Sequence, residues 1–498
     1  MAACSFDCSG LQPKASDICS FPVKSISPAS LSVTDSLRRR SLLQAGLGSL
    51  ALQDVWVRSL QARSRVGPRH GKQARSCVFI FLFGGPSHVD LWDLKPEAPV
   101  EIRGDFQPVE TNVPGIQICE HLPLLAEQMD KLCLLRSMTH RMPVHGPACS
   151  EIYSGRPYFG APVTDQAREE DWPSIASIVH RFGGRKSSED GSLPHSIVLP
   201  WYTQFVGQDR RIAGQTGARM GEQFNPFLVE GNLTDPDFHV RGLELPDDVS
   251  AVRFARRRAL HQELKPLGLR KSQETVQTRV TDTHFDAAAG LVERTEAAGV
   301  LDLSRESDAI RGRYGTTRFG QSLLMARRLV EAEISLVTVN WDDDHKSDKV
   351  SPHWDTHVDN FSKLKDRLCP TFDTAMSTFL SDLDQRGLLE TTLVVALGEF
   401  GRSPKIGLVT QNGQTKKTGR DHWPHAFTAL IAGGGVRGGQ VFGATTRNGG
   451  YIADDPVTPA DLAATIFQHL GIDPLTRYHD HFLQTGQPLT VGNPVDFT

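Results

Sequence analysis

Short, unbroken apolar runs separated by stretches of helical periodicity set the pattern of this chain. Residues 77–83, CVFIFLF, are apolar throughout and stop at Gly84-Gly85-Pro86. A strand covered on both faces reads this way, whereas a half-solvated strand alternates apolar with polar. Similar runs recur at Leu132 to Leu135, Ile197 to Leu199, Ile334 to Val339, Leu393 to Leu397 and Phe427 to Ile431. The intervening patterns predict helices, most clearly over Gly320 to Glu333 and Asp373 to Leu389. Near the C-terminus, Thr458-Pro459-Ala460-Asp461 offers an N-cap hydroxyl, a proline at the first helical position and an acid at the third, ahead of LAATIFQHL and Gly471. Strands alternating with helices predict an α/β fold, with a mostly parallel central sheet covered by helices on both faces.

From about 160 to 300 the pattern loosens into Gly/Pro-rich loops and a charged helical stretch, Val252 to Leu269, which predicts a mostly helical insertion. At the other end, residues 37–54, LRRRSLLQAGLGSLALQD, place Arg39-Arg40 before an apolar, small-residue run of about a dozen positions. That is shorter than the ~20 residues of a membrane-spanning helix. It looks like a twin-arginine export signal, and the chain divides into a leader with a flexible N-terminal segment, 1–72, and a folded body, 73–498. The expected location is periplasmic or otherwise extracytoplasmic, with no stable membrane span.

Composition narrows the partners. Lys and Arg total 54 against 58 Asp and Glu, a net charge of −4, which gives nucleic acid no electrostatic hold. Of the eight cysteines, Cys77, Cys119, Cys133, Cys149 and Cys369 fall in the body without CxxC spacing, so neither a disulfide framework nor a cysteine-rich zinc site is expected.

Ligands of open α/β sheets sit beyond the carboxyl ends of the strands, so polar residues directly after the apolar runs are the first candidates. They are Ser87, His88, Asp90 and Asp93, then His140 and His145. Further along come Asp342, Asp343, Asp344 and His345, followed by His353, Asp355 and His357, then Glu399 and Arg402, and finally Asp421, His422 and His425. Imidazoles and carboxylates gathered from separate strand ends suit a divalent metal, because no single loop supplies a full ligand set. Asp355 and His357, two apart, can share an ion from an extended segment, as can His422 and His425 from a turn. The three adjacent acids Asp342 to Asp344 read as a solvated turn. Arg402 can hold an anionic substrate oxygen through its planar fork, or pair with Glu399.

Residues 136–158, RSMTHRMPVHGPACSEIYSGRPY, resemble a sulfatase active-site segment, with His145 where the nucleophile belongs and Cys149 where an Arg belongs. With GGPSHVDLWDLKP at 84–96, WDTHVDNF at 354–361, LGEFGRSPKI at 397–406, GRDHWPHAFTALIAGGGVRGGQVFG at 419–443 and PVTPADLAATIFQHLGID at 456–473, the chain resembles the domain-of-unknown-function 1501 family across roughly 75–485. That family is sulfatase-like and belongs to the alkaline phosphatase superfamily. The resemblance implies an alkaline phosphatase-like sheet with metal at the strand ends. It also implies a metal-dependent hydrolase acting on an anionic phosphate or sulfate ester, a sulfated or phosphorylated glycan among the candidates. Asp355, His357, Glu399, Asp421, His422 and His425 would hold zinc, manganese or calcium, with His145 or Ser87 at the reacting position and Arg402 steering the anion. Two departures stand out: the first strand ends in Gly84-Gly85 where a sulfatase has metal-binding Asp-Asp, and His145 replaces the nucleophile, where it can attack, bind metal or donate a hydrogen bond. They leave room for an alternative, a catalytically inactive relative that binds an extracytoplasmic glycan or protein partner.

Overall fold

In the computed structural model of the chain, the apolar runs lie side by side. The model describes residues 74–160, 167–183, 194–205, 210–240, 249–264, 299–342, 351–408 and 418–497. The leader, Asp343, Asp344, His345 and residues 265–269 of the charged stretch lie outside them. Eight strands form the central sheet: β1 (Ser76–Phe81), β2 (Leu132–Met138), β3 (Ser196–Leu199), β4 (Phe227–Leu228), β5 (Leu336–Asn340), β6 (Thr392–Leu397), β7 (Phe427–Ala432) and β8 (Gln440–Phe442). Their order is β8-β2-β7-β6-β1-β5-β3-β4. Every neighbouring pair is parallel except those made by β7, which runs against both β2 and β6. The fold is the predicted mostly parallel α/β sheet, with one reversed strand.

Because successive side chains leave a strand on opposite faces, each buried run splits between two cores. Val78, Ile80 and Leu82 join Val337, Val339 and Val394 on one face, under helices α4 (Arg318–Glu331) and α5 (Cys369–Gln385). Cys77, Phe79, Phe81 and Phe83 join Leu393 and Val395 on the other. That second face is covered by α1 (His145–Ser154), α2 (Ile175–Phe182) and α6 (Pro459–His469). With apolar residues owed to both faces, β1 has no solvent side on which to place a polar one.

The local signals act where the sequence places them. Thr458 caps α6 in a reciprocal capping box with Asp461, behind Pro459 in the first turn, and Thr317 caps α4 through the Gly320 N–H. The described part of 160–300 holds α2 and the charged helix α3 (Ala251–Leu264). It also supplies β3 and the two-residue β4, which extend the sheet beyond β5. All five body cysteines are buried and unpaired by disulfide.

One long-range cap ties the first core together. The Asp373 carboxylate of α5 accepts from Leu124 N at 2.9 Å and Leu125 N at 2.7 Å, satisfying donors at the start of the short helix Pro123–Ala126. Burial pushes this carboxyl up to about 6 despite those two donors. The folded chain therefore holds the proton more tightly than the unfolded chain. Stability linked to it is complete below about pH 4 and is lost as the pH rises through about 6. Asp373→Asn, which cannot ionise, should remove about 1–2 kcal/mol of stability loss between pH 4 and 7, read as the difference in urea-unfolding free energies. An identical pH slope in both proteins would show the carboxyl to be solvated.

Candidate metal centre

The carboxyl ends of β1, β2, β5 and β6 share one edge of the sheet, and the reversed β7 begins there. Past β1 the backbone turns through Gly84 (φ +111°) and Gly85 (φ +75°). A Cβ at Gly84 would lie 2.3 Å from Asp355 N, and one at Gly85 would lie 2.6 Å from the Phe400 ring. Glycine is therefore demanded twice over, by the left-handed φ and by backbone packed on backbone. Arg402 locks this contact: its guanidinium donates to the Gly84, Gly85, Trp354 and Arg420 carbonyls and to Asp355 Oδ1 at 2.5 Å.

Asp355 is the centre of the group that results. Its Oδ1 lies 3.0 Å from His357 Nε2 and 3.2 Å from His422 Nε2, and its Oδ2 lies 3.3 Å from His145 Nε2. The two Nε2 atoms of His357 and His422 are 2.9 Å apart. One ligand atom from each of His145, Asp355, His357 and His422 lies within 4.8 Å of all the others. His145 opens α1, whereas His422 lies on the two-residue strand His422–Trp423 paired with Gly401–Arg402. Behind the inward-facing Nε2 atoms, two Nδ1 atoms are hydrogen-bonded to an oxygen and the third, that of His357, lies near one without a hydrogen bond. His145 Nδ1 is 2.5 Å from Glu399 Oε1, His422 Nδ1 is 2.7 Å from the Pro143 carbonyl, and His357 Nδ1 is 3.4 Å from Asp421 Oδ1. Aromatic rings of Phe83, Phe205 and Phe400 surround His145.

Electrostatics separates the roles. Burial opposes charge on Asp355, yet Arg402 and His145 hold its carboxyl well below the usual carboxylate range. Burial likewise opposes charge on His145, but Asp355 and Glu399 carry it up to about 9. His422 is driven down to about 3, by burial first and then by His145 and Arg402, so its ring is neutral. Since the Pro143 carbonyl takes the Nδ1 proton, His422 Nε2 is an acceptor, facing His357 Nε2 at 2.9 Å and Asp355 Oδ1 at 3.2 Å. Acceptors gathered this closely need a proton, such as one on His357 Nε2, or a cation among them. Ligands ~2.0–2.1 Å from one ion in a tetrahedral set stand roughly 3.3 Å from each other, close to the separations found. Histidine ligands ordinarily give their second ring N–H to a carboxylate or carbonyl. The donor set therefore fits a divalent metal ion.

The family model for "Protein of unknown function (DUF1501)" matches residues 74–494. The chain belongs to the DUF1501 family. No curated protein matches the sequence. Solved structures that resemble it do so distantly. A protein in the alkaline phosphatase superfamily from Vibrio parahaemolyticus is 12% identical over 85% of this chain and 84% of its own, with a TM-score of 0.36. The alkaline phosphatase of the Antarctic bacterium TAB5 is 11% identical over 81% and 99%, TM-score 0.36. Phosphonate monoester hydrolase SpPMH from Silicibacter pomeroyi is 13% identical over 80% and 73%, TM-score 0.36.

Of the residues singled out in this DUF1501 chain, Asp355, His357 and His422 meet in the group, and His145 joins them with a carboxylate at each ring nitrogen. Glu399 stands behind His145, also accepting from Gly84 N at 3.0 Å. Asp421 stands behind His357 and accepts from His422 N at 2.8 Å. His425 packs instead on Trp423 and Tyr451. Arg402 is fully buried and paired with Asp355 rather than Glu399. Its fork is occupied by the protein's own oxygens, which removes it from anion steering. Ser87 is also fully buried, and its hydroxyl is committed to Asp90 Oδ2 at 2.6 Å, which removes it from the reacting position. Asp342 pairs with Arg318. The Pro143 carbonyl carried no sequence signal, because any residue offers one.

Asp90 forms a bidentate pair with Arg420, both contacts 2.7 Å and both side chains fully buried, and also accepts from Asn360 at 2.9 Å. Asn360 in turn accepts from Thr356, so this pair fixes the segments carrying His357 and His422. Asp90→Ala strands a buried guanidinium and should lower unfolding free energy by about 3–5 kcal/mol. Ser87→Ala removes one donor and should cost about 1 kcal/mol. Chemical denaturation measures both, and equally small losses would show the pair to be dispensable.

Proposed function

We propose that this DUF1501 protein is a metal-dependent hydrolase of phosphate or sulfate esters within the alkaline phosphatase superfamily, exported by its twin-arginine leader. One observation carries the reading: three imidazoles turn Nε2 toward a single buried, ionised carboxylate, two of them with an oxygen hydrogen-bonded to Nδ1. His145, Asp355, His357 and His422 would hold the ion. Nitrogen-rich donors suit zinc best and manganese next, whereas calcium prefers six to eight oxygens.

A divalent ion in that position supplies charge neutralisation for an ester oxygen and a water made easier to deprotonate. The chain's own residues do the rest. Arg402 keeps Asp355 ionised, Glu399 and the Pro143 carbonyl hold the rings in register, and Phe83, Phe205 and Phe400 form an apolar wall that limits water. Ser87 and Cys149 are buried away from solvent, and His145 has no free nitrogen, so water is the nucleophile this site can use. An anionic ester, including one on a glycan, is the substrate class. The alternative of an inactive binding module draws support from the internal use of Arg402, which leaves the substrate anion without that cation.

A screen of aryl phosphate mono- and diesters and aryl sulfates, with zinc or manganese added, should find hydrolysis that a chelator abolishes. Asp355→Ala and His422→Ala should each lower kcat/KM at least about 100-fold, by removing metal. Undiminished hydrolysis in both variants would refute the metal mechanism, and no hydrolysis of any ester by metal-loaded protein would favour the binding module. For export, Arg39→Lys with Arg40→Lys should retain the protein in the cytoplasm, checked by fractionation.

A further inference from the structure

We infer that the centre holds one ion and that Glu399 is a positioning residue acting through His145, not a ligand. This rests on the metal-binding reading above, and three observations carry it.

The first is steric. The backbone of Gly84 lies against that of Trp354 and Asp355, with 2.3 Å left between a would-be Cβ and Asp355 N. No carboxylate can therefore be presented from the end of β1. The next acids along that turn are engaged elsewhere. Both Asp90 oxygens face Arg420, and Oδ2 also accepts from Ser87 and Asn360. Asp93 is engaged by Lys95 at 2.9 Å, Arg136 at 3.5 Å and Thr445. Neither is available to fold back toward the centre.

The second observation is the setting of Glu399. It is fully buried. Oε1 faces His145 Nδ1 at 2.5 Å and Gly84 N at 3.0 Å, and Oε2 faces Gly84 N at 3.1 Å. Its own carbonyl meets His140 Nε2 at 2.5 Å, and His140 Nδ1 accepts from Met142 N at 3.0 Å. His140 therefore donates to the carbonyl through Nε2. Burial drives the His140 imidazole down to about 4, which keeps it a neutral donor. Glu399 is thus held at its main chain and its carboxylate, and the proton it binds is the His145 Nδ1–H. With the Nε2 proton that faces Asp355 displaced by an ion, that bond would keep the Nε2 lone pair on the centre and make it more basic.

Third, among the described residues, His145, Asp355, His357 and His422 are the single group of three or more His, Cys, Asp and Glu side chains close enough to share an ion.

The test uses the full-length protein with zinc or cobalt as probe. Elemental analysis of wild type should return one ion per chain. Two ions would overturn this inference while leaving the hydrolase reading intact, and none would overturn both. Glu399→Gln keeps an acceptor for His145 but no charge, and should weaken metal affinity about 10-fold. Glu399→Leu keeps neither and should weaken it about 100-fold. At saturating cobalt, the Glu399→Gln absorption spectrum should match wild type, because the four ligands are retained. A changed spectrum would make Glu399 a ligand, and unchanged affinity in both variants would remove its positioning role. The wild-type stoichiometry stands even if a variant fails to fold.

Discussion

The ionised Asp355 carboxylate, largely withdrawn from bulk water, is the constraint to which the rest of this molecule answers. A buried charge costs several kcal/mol unless it is matched, and Arg402 supplies the match at 2.5 Å. Arg402 reaches that position only because the turn after β1 offers two carbonyls, which requires Gly84 and Gly85. Once fixed, the carboxylate gives three imidazoles a common point of convergence. The nitrogens behind the His145 and His422 rings then take their own oxygens, so the demand spreads outward to Glu399 and Pro143. Site and scaffold are therefore not separable here, since the arginine that stabilises the fold is the one that keeps the Asp355 carboxylate charged.

Much of the architecture was legible in the order of residues because strands buried on both sides leave no polar positions to blur the signal. β1 and β6 coincide with apolar runs for that reason, and β2 and β7 do so in large part, interrupted at Arg136, Ser137 and Thr428. β4, with two residues, is too short to form a pattern, and the antiparallel direction of β7 has no signature in its own sequence. The capping box at Thr458 was readable because it is a local device, complete within four residues.

Site chemistry was legible in kind more than in assignment. Position after a strand brought Asp355, His357 and His422 into consideration, and the structure gathers them. It does not tell a carboxylate on which three imidazoles converge from one that meets a single ring, and that is what distinguishes Asp355 from Glu399. Partner choice was equally hidden: Arg402 and Glu399 are three apart in sequence, yet Arg402 pairs with Asp355, 47 positions away. Ser87 looked reactive by location, but the Asp90 and Arg420 pair that draws its hydroxyl inward is made by residues 330 positions apart.

The reversal of β7 decides what gathers at this rim. A parallel successor to β6 would require the chain to cross the whole body and return beneath the sheet. Running backwards, β7 starts where β6 stops, so residues 398–426 leave and re-enter at the same rim. Glu399, Arg402, Asp421 and His422 all lie on that excursion, so the reversal of a single strand delivers an imidazole and three of the groups that support the cluster to one edge.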